Sequence, residues 1–281
     1  MKLEFINRQT TGFFRVGNDQ RMLTHTGILR ESTMNSIVFN FEKDQQVIID
    51  EVRYTFPQNS VLPLMANQNF RFEHPEQLMA WQFNREFYCI VDHDAEVGCV
   101  GFLFYGISNP MFVHLSTKDI SDIKVTERFC ISDMHVKDRM QNEMLRTLLK
   151  RIIISVTRLA RNQTLDGVPL TDEKLDLVRN FNLLVEANFK TQHEVRFYAG
   201  KLNKSPKTLA NVFALLKIPS PSTLIQKRIL LEAKRLLNYT DKSAKEITYQ
   251  LGFISPAHFS RFFKRHSGDN ISTYRNHVVQ S

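Results

Sequence analysis

The sequence predicts an α+β protein in two parts, a β-rich N-terminal domain and a C-terminal domain made only of helices. Short stretches rich in β-branched and aromatic residues, several with period-two alternation, fill residues 12–105. From Ser132 onward, apolar residues recur at three- and four-residue steps instead, which is typical of helices. The charge divides in the same way, since residues 190–281 have a net charge of +11 and residues 1–189 a net charge of −3.

The composition predicts a globular protein without a membrane span. The 281 residues are 42% hydrophobic and 23% charged, and no run of about 18 apolar residues occurs. The polar N-terminus does not resemble a secretion signal, so we expect a cytoplasmic location. Cys89, Cys99 and Cys130 have no metal-ligand spacing and are predicted to be reduced thiols. We expect neither a metal site nor a cofactor.

The N-terminal domain is predicted to be a small barrel or sandwich, because it consists of many short strands separated by turn residues. Pro57–Ser60 and Asp92–Asp94 are two of these turn signals. The predicted strands are residues 36–41, 46–49, 52–56, 79–83 and 99–105.

A long helix is predicted from Ser132 to Arg161, with a wide apolar stripe. The stripe can pack on the β-rich domain or form part of a dimer interface, and the two roles are compatible. Its residues are Val136, Met140, Met144, Leu148, Ile152 and Val156, widened by Leu145, Leu149 and Leu159.

Residues 162–170 are predicted to be a linker, because they combine polar residues with a glycine and a proline. This divides the chain into an N-terminal domain of residues 1–161 and a C-terminal domain of residues 171–281. Thr171 is the predicted N-cap of the first helix of the C-terminal domain.

Residues 246–265 predict two helices joined by a glycine turn, with a basic exposed face on the second helix. Ser243 and Glu246 have the spacing of a capping box at the start of the first helix. Gly252 can adopt positive φ and end that helix. Ser255-Pro256 then supplies an N-cap and a proline at the first position of the second helix. A helix-turn-helix presents its second helix to the major groove of DNA in this way.

The exposed face of this second helix holds the predicted DNA contacts. Side chains near the N-terminus of a recognition helix reach base edges, and the remaining cations and the cap are better placed for phosphates. The predicted base-reading residues are Pro256, Ala257, His258 and Arg261. The predicted phosphate contacts are Ser255, Ser260, Lys264 and Arg265.

A similar unit, Val195–Phe213, precedes it and repeats the cap-then-proline start at Ser205-Pro206. It is less basic, so we expect it to read bases more weakly. Its predicted base-reading residues are Lys207, Thr208 and Asn211, with Ser205 on a phosphate. A helix from Ser222 to Tyr239 connects the units and spans ~27 Å at ~1.5 Å per residue. Its Arg228 is predicted to contact a phosphate. Two recognition helices held by this helix could read major-groove segments one DNA turn apart, ~34 Å.

Five short motifs stand out in the C-terminal part of the chain: Ala233–Leu237, Glu246–Ile247, Leu251–Phe253, Phe259–Lys264 and Tyr274–Arg275. Through these motifs, residues 173–278 resemble the AraC/XylS family of transcription regulators. The resemblance implies a DNA-binding domain with two helix-turn-helix units on a central helix, and double-stranded DNA as the partner. It further implies an activator role, a homodimer, RNA polymerase as another partner, and an N-terminal cupin-like barrel that binds a small-molecule effector. The chain departs from the family pattern at Asn211, Thr248 and Ile271.

No catalytic residue is predicted. Catalytic cupins bind metal through closely spaced histidines, whereas the N-terminal histidines are scattered without an HxH pair. If the β-rich domain binds a ligand, Arg53, Trp81 and Tyr105 are candidate contacts, although such residues are more often structural. The alternative to a DNA-binding regulator is a protein-interaction adaptor whose helix-turn-helix units have lost DNA binding.

Overall fold

The chain divides into two units, residues 1–169 and 170–281. The computed structural model describes residues 2–7, 9–25, 34–50, 52–66, 68–89, 103–104, 110–164, 172–216 and 218–279. Within those ranges, no helix combines the length and the apolar character that a membrane crossing requires.

The N-terminal unit is built on two antiparallel β-sheets. Its strands are β1 (Lys2–Ile6), β2 (Phe13–Gly17), β3 (Thr24–His25), β4 (Met34–Asn40), β5 (Gln45–Ile49), β6 (Val52–Phe56), β7 (Ser60–Leu64), β8 (Phe70–Phe72), β9 (Leu78–Asn84) and β10 (Val113–His114). The larger sheet has the order β1-β2-β9-β4-β7-β10, and the smaller has the order β3-β8-β5-β6. Together with the helices described below, these sheets confirm the predicted α+β class.

The central strands of the six-stranded sheet are buried on both faces. Successive side chains of a strand point to opposite sides, so one strand can serve two cores. In β4, Ile37 and Phe39 pack in a cluster with helical residues, whereas Val38 packs in a cluster with the smaller sheet. Trp81 and Ala80 of β9 divide in the same way. This sheet is therefore the middle of three layers, between helices and the four-stranded sheet.

Four of the five predicted strands are present as β4, β5, β6 and β9, with ends within two residues of the prediction. The fifth, residues 99–105, lies mostly outside the described residues, and Leu103 and Phe104, which are described, are helical. The prediction also misses β7, whose Pro63 suggests a strand breaker. β10 pairs only with the first two residues of β7, so this proline lies where β7 forms the edge of the sheet.

Two helices, α1 (Thr117–His135) and α2 (Gln141–Thr164), replace the single predicted helix from Ser132 to Arg161. The break has a local cause. The Asp138 carboxylate accepts the backbone N–H groups of Met140 and Gln141, both at 2.8 Å, and so starts a new helix. An unpredicted capping box, Ser116 with Asp119, starts α1.

The apolar stripe also differs from the prediction. Val136, Met140 and Met144 are 41%, 62% and 48% exposed, because the break turns them away from the core. α2 extends to Thr164, so the first residues of the predicted linker 162–170 are helical, and residues from 165 lie outside those described. The buried face of α2 consists of Leu145, Leu149, Ile152, Ile153, Val156 and Ala160.

The described residues of the C-terminal unit form helices only, as predicted. They are α3 (Asp172–Asn188), α4 (Val195–Lys201), α5 (Pro206–Leu215), α6 (Pro221–Tyr239), α7 (Ala244–Gln250), α8 (Pro256–Ser267) and α9 (Ile271–Val279). Helix α6 contacts each of the other six. Its buried face, which includes Ile225, Ile229 and Ala233, is the centre of the core, so the prediction of a central helix between two helix-turn-helix units is confirmed.

Candidate nucleic-acid interface

The second helix-turn-helix unit, α7–turn–α8, begins with the predicted capping box. Ser243 Oγ accepts the backbone N–H of Glu246, and the Glu246 carboxylate accepts the backbone N–H of Ser243 at 2.8 Å. Hydrogen bonds from the side chain and then the backbone of Ser243 lower the pKa of Glu246. These bonds fix the start of α7, whose Ile247 is fully buried.

The turn after α7 depends on Gly252, which has a φ of 73°. The Gly252 N–H bonds to the Tyr249 carbonyl at 3.1 Å, and the Phe253 N–H bonds to the Thr248 carbonyl at 3.0 Å. A Cβ at position 252 would lie 2.3 Å from the carbonyl oxygen of Lys190, in the segment before α4. The turn is therefore closed by its own hydrogen bonds and packed tightly on that segment.

Helix α8 begins as the sequence predicts. Ser255 Oγ accepts the backbone N–H of His258 at 3.3 Å, and Pro256 occupies the first turn, where a missing N–H leaves no hydrogen bond unmade. Gly268, with a φ of 89°, ends the helix.

A buried aromatic cluster holds α8 against the rest of the unit. Phe259 and Phe263 are fully buried, and Phe253 from the turn fills the gap between α7 and α8. The Phe253 ring lies 5.2 Å from the Phe259 ring and 5.1 Å from the Phe262 ring, measured between centroids. One side of α8 is thereby fixed and the opposite side is left to solvent.

The solvent side of α8 carries the predicted contact residues. Ala257, His258, Ser260, Arg261, Lys264 and Arg265 are exposed, and Pro256 is half-buried. Within the described part of the chain, Arg261, Lys264 and Arg265 form no ion pair with a carboxylate. Three positive side chains on one exposed face are therefore available to an external anion.

Two histidines contact the Phe253 ring beneath this face. The His258 ring meets it edge-on at 5.6 Å between centroids, and the His193 ring lies 4.8 Å away. Burial lowers the pKa of His193 more than a hydrogen bond with the Leu251 backbone raises it, and the nearby His258 lowers it further. The neutral form of His193 therefore fits this position best.

In the first unit, α4–turn–α5, the helix α5 begins in the same way as α8. Ser205 Oγ accepts the backbone N–H of Thr208 at 3.0 Å, and Pro206 again occupies the first turn. Leu209 and Phe213 are fully buried. The predicted contact residues Lys207, Thr208 and Asn211 are exposed.

The turns of the two units differ in length. Asn203 and Lys204 separate the C-cap Leu202 from the N-cap Ser205 in the first unit. Three residues, Gly252, Phe253 and Ile254, separate the C-cap Leu251 from the N-cap Ser255 in the second. Asn203 has a φ of 52° and so corresponds to Gly252. The Lys204 N–H bonds to the Ala199 carbonyl as the Phe253 N–H bonds to the Thr248 carbonyl, so Lys204 corresponds to Phe253 and the additional residue of the second turn is Ile254.

Arg228 of α6 corrects one prediction, because its guanidinium is bonded within the unit and only 11% exposed. Its Nε donates to Glu186 at 2.6 Å, its Nη1 lies 3.5 Å from Glu232, and the group stacks 3.9 Å from the Phe189 ring centroid. A phosphate contact would need this group to leave its partners. Arg228 and Arg235 are predicted from the sequence either to face outward or to form salt bridges, and the structure shows the salt bridges.

Glu232 is the centre of the network and is 3% exposed. Burial raises its pKa, but the hydrogen bond from Arg235 and the charges of Arg228, Arg235 and Lys190 outweigh burial and keep the pKa below its usual value. The ion pair between Glu232 and Arg235 measures 2.8 Å. Arg228, Glu232 and Arg235 of α6 therefore support the fold of the unit.

The N-terminal candidates for ligand contact do not meet in one site. Trp81 is fully buried in the core beside the helices, and Arg53 is exposed on the smaller sheet. Tyr105 lies outside the described residues. Cys89 and Cys130 are buried, and burial raises the pKa of the Cys130 thiol.

Comparisons with known proteins agree with this geometry in the C-terminal unit. A model of the helix-turn-helix domain family matches residues 198–277. The raffinose operon transcriptional regulatory protein RafR of Pediococcus pentosaceus is 27% identical over 149 residues, which is 52% of this chain and 52% of that protein. Histidine kinase P4 of Formosa agariphila is 30% identical over 105 residues, which is 37% of this chain and 8% of that protein.

Two solved structures also align. ToxT from Vibrio cholerae O395 is 15% identical, with 100% of this chain and 97% of that chain covered and a TM-score of 0.43. The DNA-binding domain of AdpA in complex with a target DNA is 26% identical, with 37% and 89% covered and a TM-score of 0.32.

The sequence matches among curated proteins are partial. The chain spans about half the length of the raffinose regulator and under a tenth of the histidine kinase. The family match falls on a helix-turn-helix domain rather than on a catalytic domain. Residues 198–277 of this chain are a helix-turn-helix domain.

Proposed function

We propose that this chain is a sequence-specific DNA-binding transcription regulator. The observation that carries the proposal is the exposed face of α8, where Arg261, Lys264 and Arg265 have no described carboxylate partner. Such a face, at a helix fixed from behind by buried rings, suits a polyanion with readable base edges. The net charge of +11 on residues 190–281 favours the same partner.

In this proposal the contacts divide by position on the recognition helices. Arg261 pairs bidentately with a guanine, and the side chains nearer the helix N-terminus contact neighbouring bases. Phosphates are bound by cations and by the helix N-termini, where backbone N–H groups point outward. The base-reading set is Pro256, Ala257, His258 and Arg261, with Lys207, Thr208 and Asn211; the phosphate set is Ser205, Ser255, Ser260, Lys264 and Arg265.

The proposal gives α6 the role of a spacer between two major-groove contacts. Its 19 residues span ~28 Å at ~1.5 Å per residue, comparable with the ~34 Å between successive major-groove segments on one face of DNA. One chain would then read a bipartite site.

The N-terminal part, residues 1–161, is proposed to sense a small-molecule effector and to form a homodimer. Residues 162–170, of which 162–164 are the end of α2, connect it to the DNA-binding part, 171–281. The exposed apolar side chains of Phe129, Val136, Met140 and Met144 support a second copy as partner. An activator would also contact RNA polymerase, and its DNA partner implies a cytoplasmic location.

The test is a selection of genomic DNA fragments with the purified full-length protein at physiological salt. Enrichment of a bipartite site with halves about one helical turn apart is the expected result. A protein-interaction adaptor would enrich no sequence, and its weak binding to DNA would not differ between fragments.

A further inference from the structure

Ile254 is the most exposed large apolar side chain in the part of the chain that the structure describes. It is 87% exposed, whereas the neighbouring apolar residues Phe253 and Phe259 are buried. It lies directly before the N-cap of α8. The fold buries almost none of this side chain, so its apolar surface is available for a contact outside the chain.

The fold does not use Ile254. An apolar residue before an N-cap often packs on the fourth residue of the helix as a hydrophobic staple, which here would be Phe259. Phe253 makes that contact instead, with ring centroids 5.2 Å apart. The first unit closes its turn without an equivalent residue, since Lys204 directly precedes its N-cap. Ile254 is therefore not needed to close the turn or to start α8.

The surroundings of Ile254 favour DNA as its partner. Ala257, one turn further along α8, is also exposed and apolar, and Arg261 follows it on the same exposed side. The cations at positions 261, 264 and 265 would repel a basic surface and attract a polyanion. In the major groove, the C5-methyl group of thymine is the apolar group on the base edges.

We propose that Ile254 reads thymine, by packing against its C5-methyl group in the major groove beside the bases that α8 contacts. This inference rests on the proposed function, because it requires DNA at the exposed face of α8. It assigns to the second unit an apolar preference for an A·T pair, in addition to the hydrogen bonds of Arg261. The first unit, with Lys204 before its N-cap, has no such preference.

Replacing thymine by deoxyuridine tests this directly, since the replacement removes only the C5-methyl group. Each thymine of the selected site is replaced in turn, and the affinity of the full-length protein is measured. We expect one or two positions in the half-site of the second unit to weaken binding about four-fold, as expected for one buried methyl group. Ile254→Ser should bind the thymine and deoxyuridine duplexes equally, whereas Ile254→Val should keep the difference.

Leu215→Ser is the matched control, because Leu215 is an exposed apolar residue, 49% exposed, at the end of α5. It should retain the full deoxyuridine effect. If the protein binds the selected site specifically and no deoxyuridine replacement lowers its affinity, the inference is wrong while the proposed function is retained. The same deoxyuridine loss in Ile254→Ser also overturns it, because another residue then contacts the methyl group. Absence of any specific binding by the wild-type protein overturns both.

Discussion

The recognition helices of the two helix-turn-helix units begin in the same way, but the turns that precede them differ in what packs against them. Each recognition helix begins with a serine cap and a proline, and each preceding helix ends at a residue with positive φ. The second turn packs against the Lys190 backbone and the His193 ring. The first turn, Asn203-Lys204, is exposed.

This difference shows which features of a helix-turn-helix are local and which come from packing. Caps and turn residues start and end helices in either environment. Only the second turn is held by neighbouring segments and by a buried ring, Phe253. We therefore expect α8 to be positioned more rigidly than α5 and to contribute more of the base recognition.

The largest effect is expected from Gly252→Ala. It should lower the free energy of unfolding of the C-terminal unit by about 3 kcal/mol, since left-handed strain adds roughly 1–2 kcal/mol and the overlap with Lys190 adds roughly 1–3 kcal/mol. Asn203→Ala, at an exposed turn, should cost only the strain. Urea unfolding followed by far-UV circular dichroism measures both variants, because the single tryptophan, Trp81, lies in the N-terminal unit. Equal losses would show that the second turn has no special support.

Removal of one recognition side chain from each unit compares their roles in binding. Arg261→Ala should weaken binding to the selected site by ~1–3 kcal/mol and relax the preference at one base pair. Asn211→Ala should cost less, because the first unit is less basic. Fluorescence anisotropy with specific and random duplexes gives both values. A larger loss for Asn211→Ala would reverse the ranking of the units, and an equal loss of Arg261→Ala on both duplexes would mean a phosphate contact.

The serine caps separate helix stability from phosphate contact. Ser255→Ala and Ser205→Ala should each destabilise the unit by about 1 kcal/mol, through loss of a cap. Ser255→Asp should keep the stability, since aspartate also caps, yet weaken DNA binding through repulsion of phosphate. Thermal unfolding and binding measurements on the same samples distinguish the two. Unchanged affinity in Ser255→Asp would mean that no phosphate lies at this helix N-terminus.

The smallest expected effect is the pH dependence of the unfolding free energy that His193 causes, through its contact with the turn of the second unit. The pKa of His193 is lowered from 6.5 by burial, so its neutral form stabilises the fold. That contribution is complete above pH 6.5 and is lost as the pH falls through the lowered pKa of the folded state. His193→Gln should reduce the decrease in unfolding free energy between pH 7 and pH 5. A decrease of unchanged size would assign the pH dependence to other groups.

The sequence predicts the parts of the interface that depend on neighbouring residues. The Ser243–Glu246 capping box, the cap at Ser255 and the positive φ at Gly252 are all present, because each arises within a few residues of chain. The exposed face of α8 follows from the 3.6-residue period.

Features that depend on distant residues are not predicted. Arg228 is bonded to Glu186, 42 residues earlier, so its sequence position among exposed cations is misleading. One local feature is also not predicted, because the apolar period continues across the break at Asp138 and hides the end of α1. The exposure of Ile254 depends on Phe253 taking its place against Phe259, which only the packed structure reveals.

The central claim is that this chain recognises a DNA sequence through an asymmetric pair of helix-turn-helix units. Its most direct test is the equilibrium affinity of the full-length protein for the selected site and for a shuffled duplex of equal composition, at the same salt concentration. We predict a ratio of about 1,000 or more in favour of the selected site, as is typical of specific DNA-binding proteins. Equal affinity for both duplexes would contradict the claim and leave only a basic surface that binds DNA without reading it.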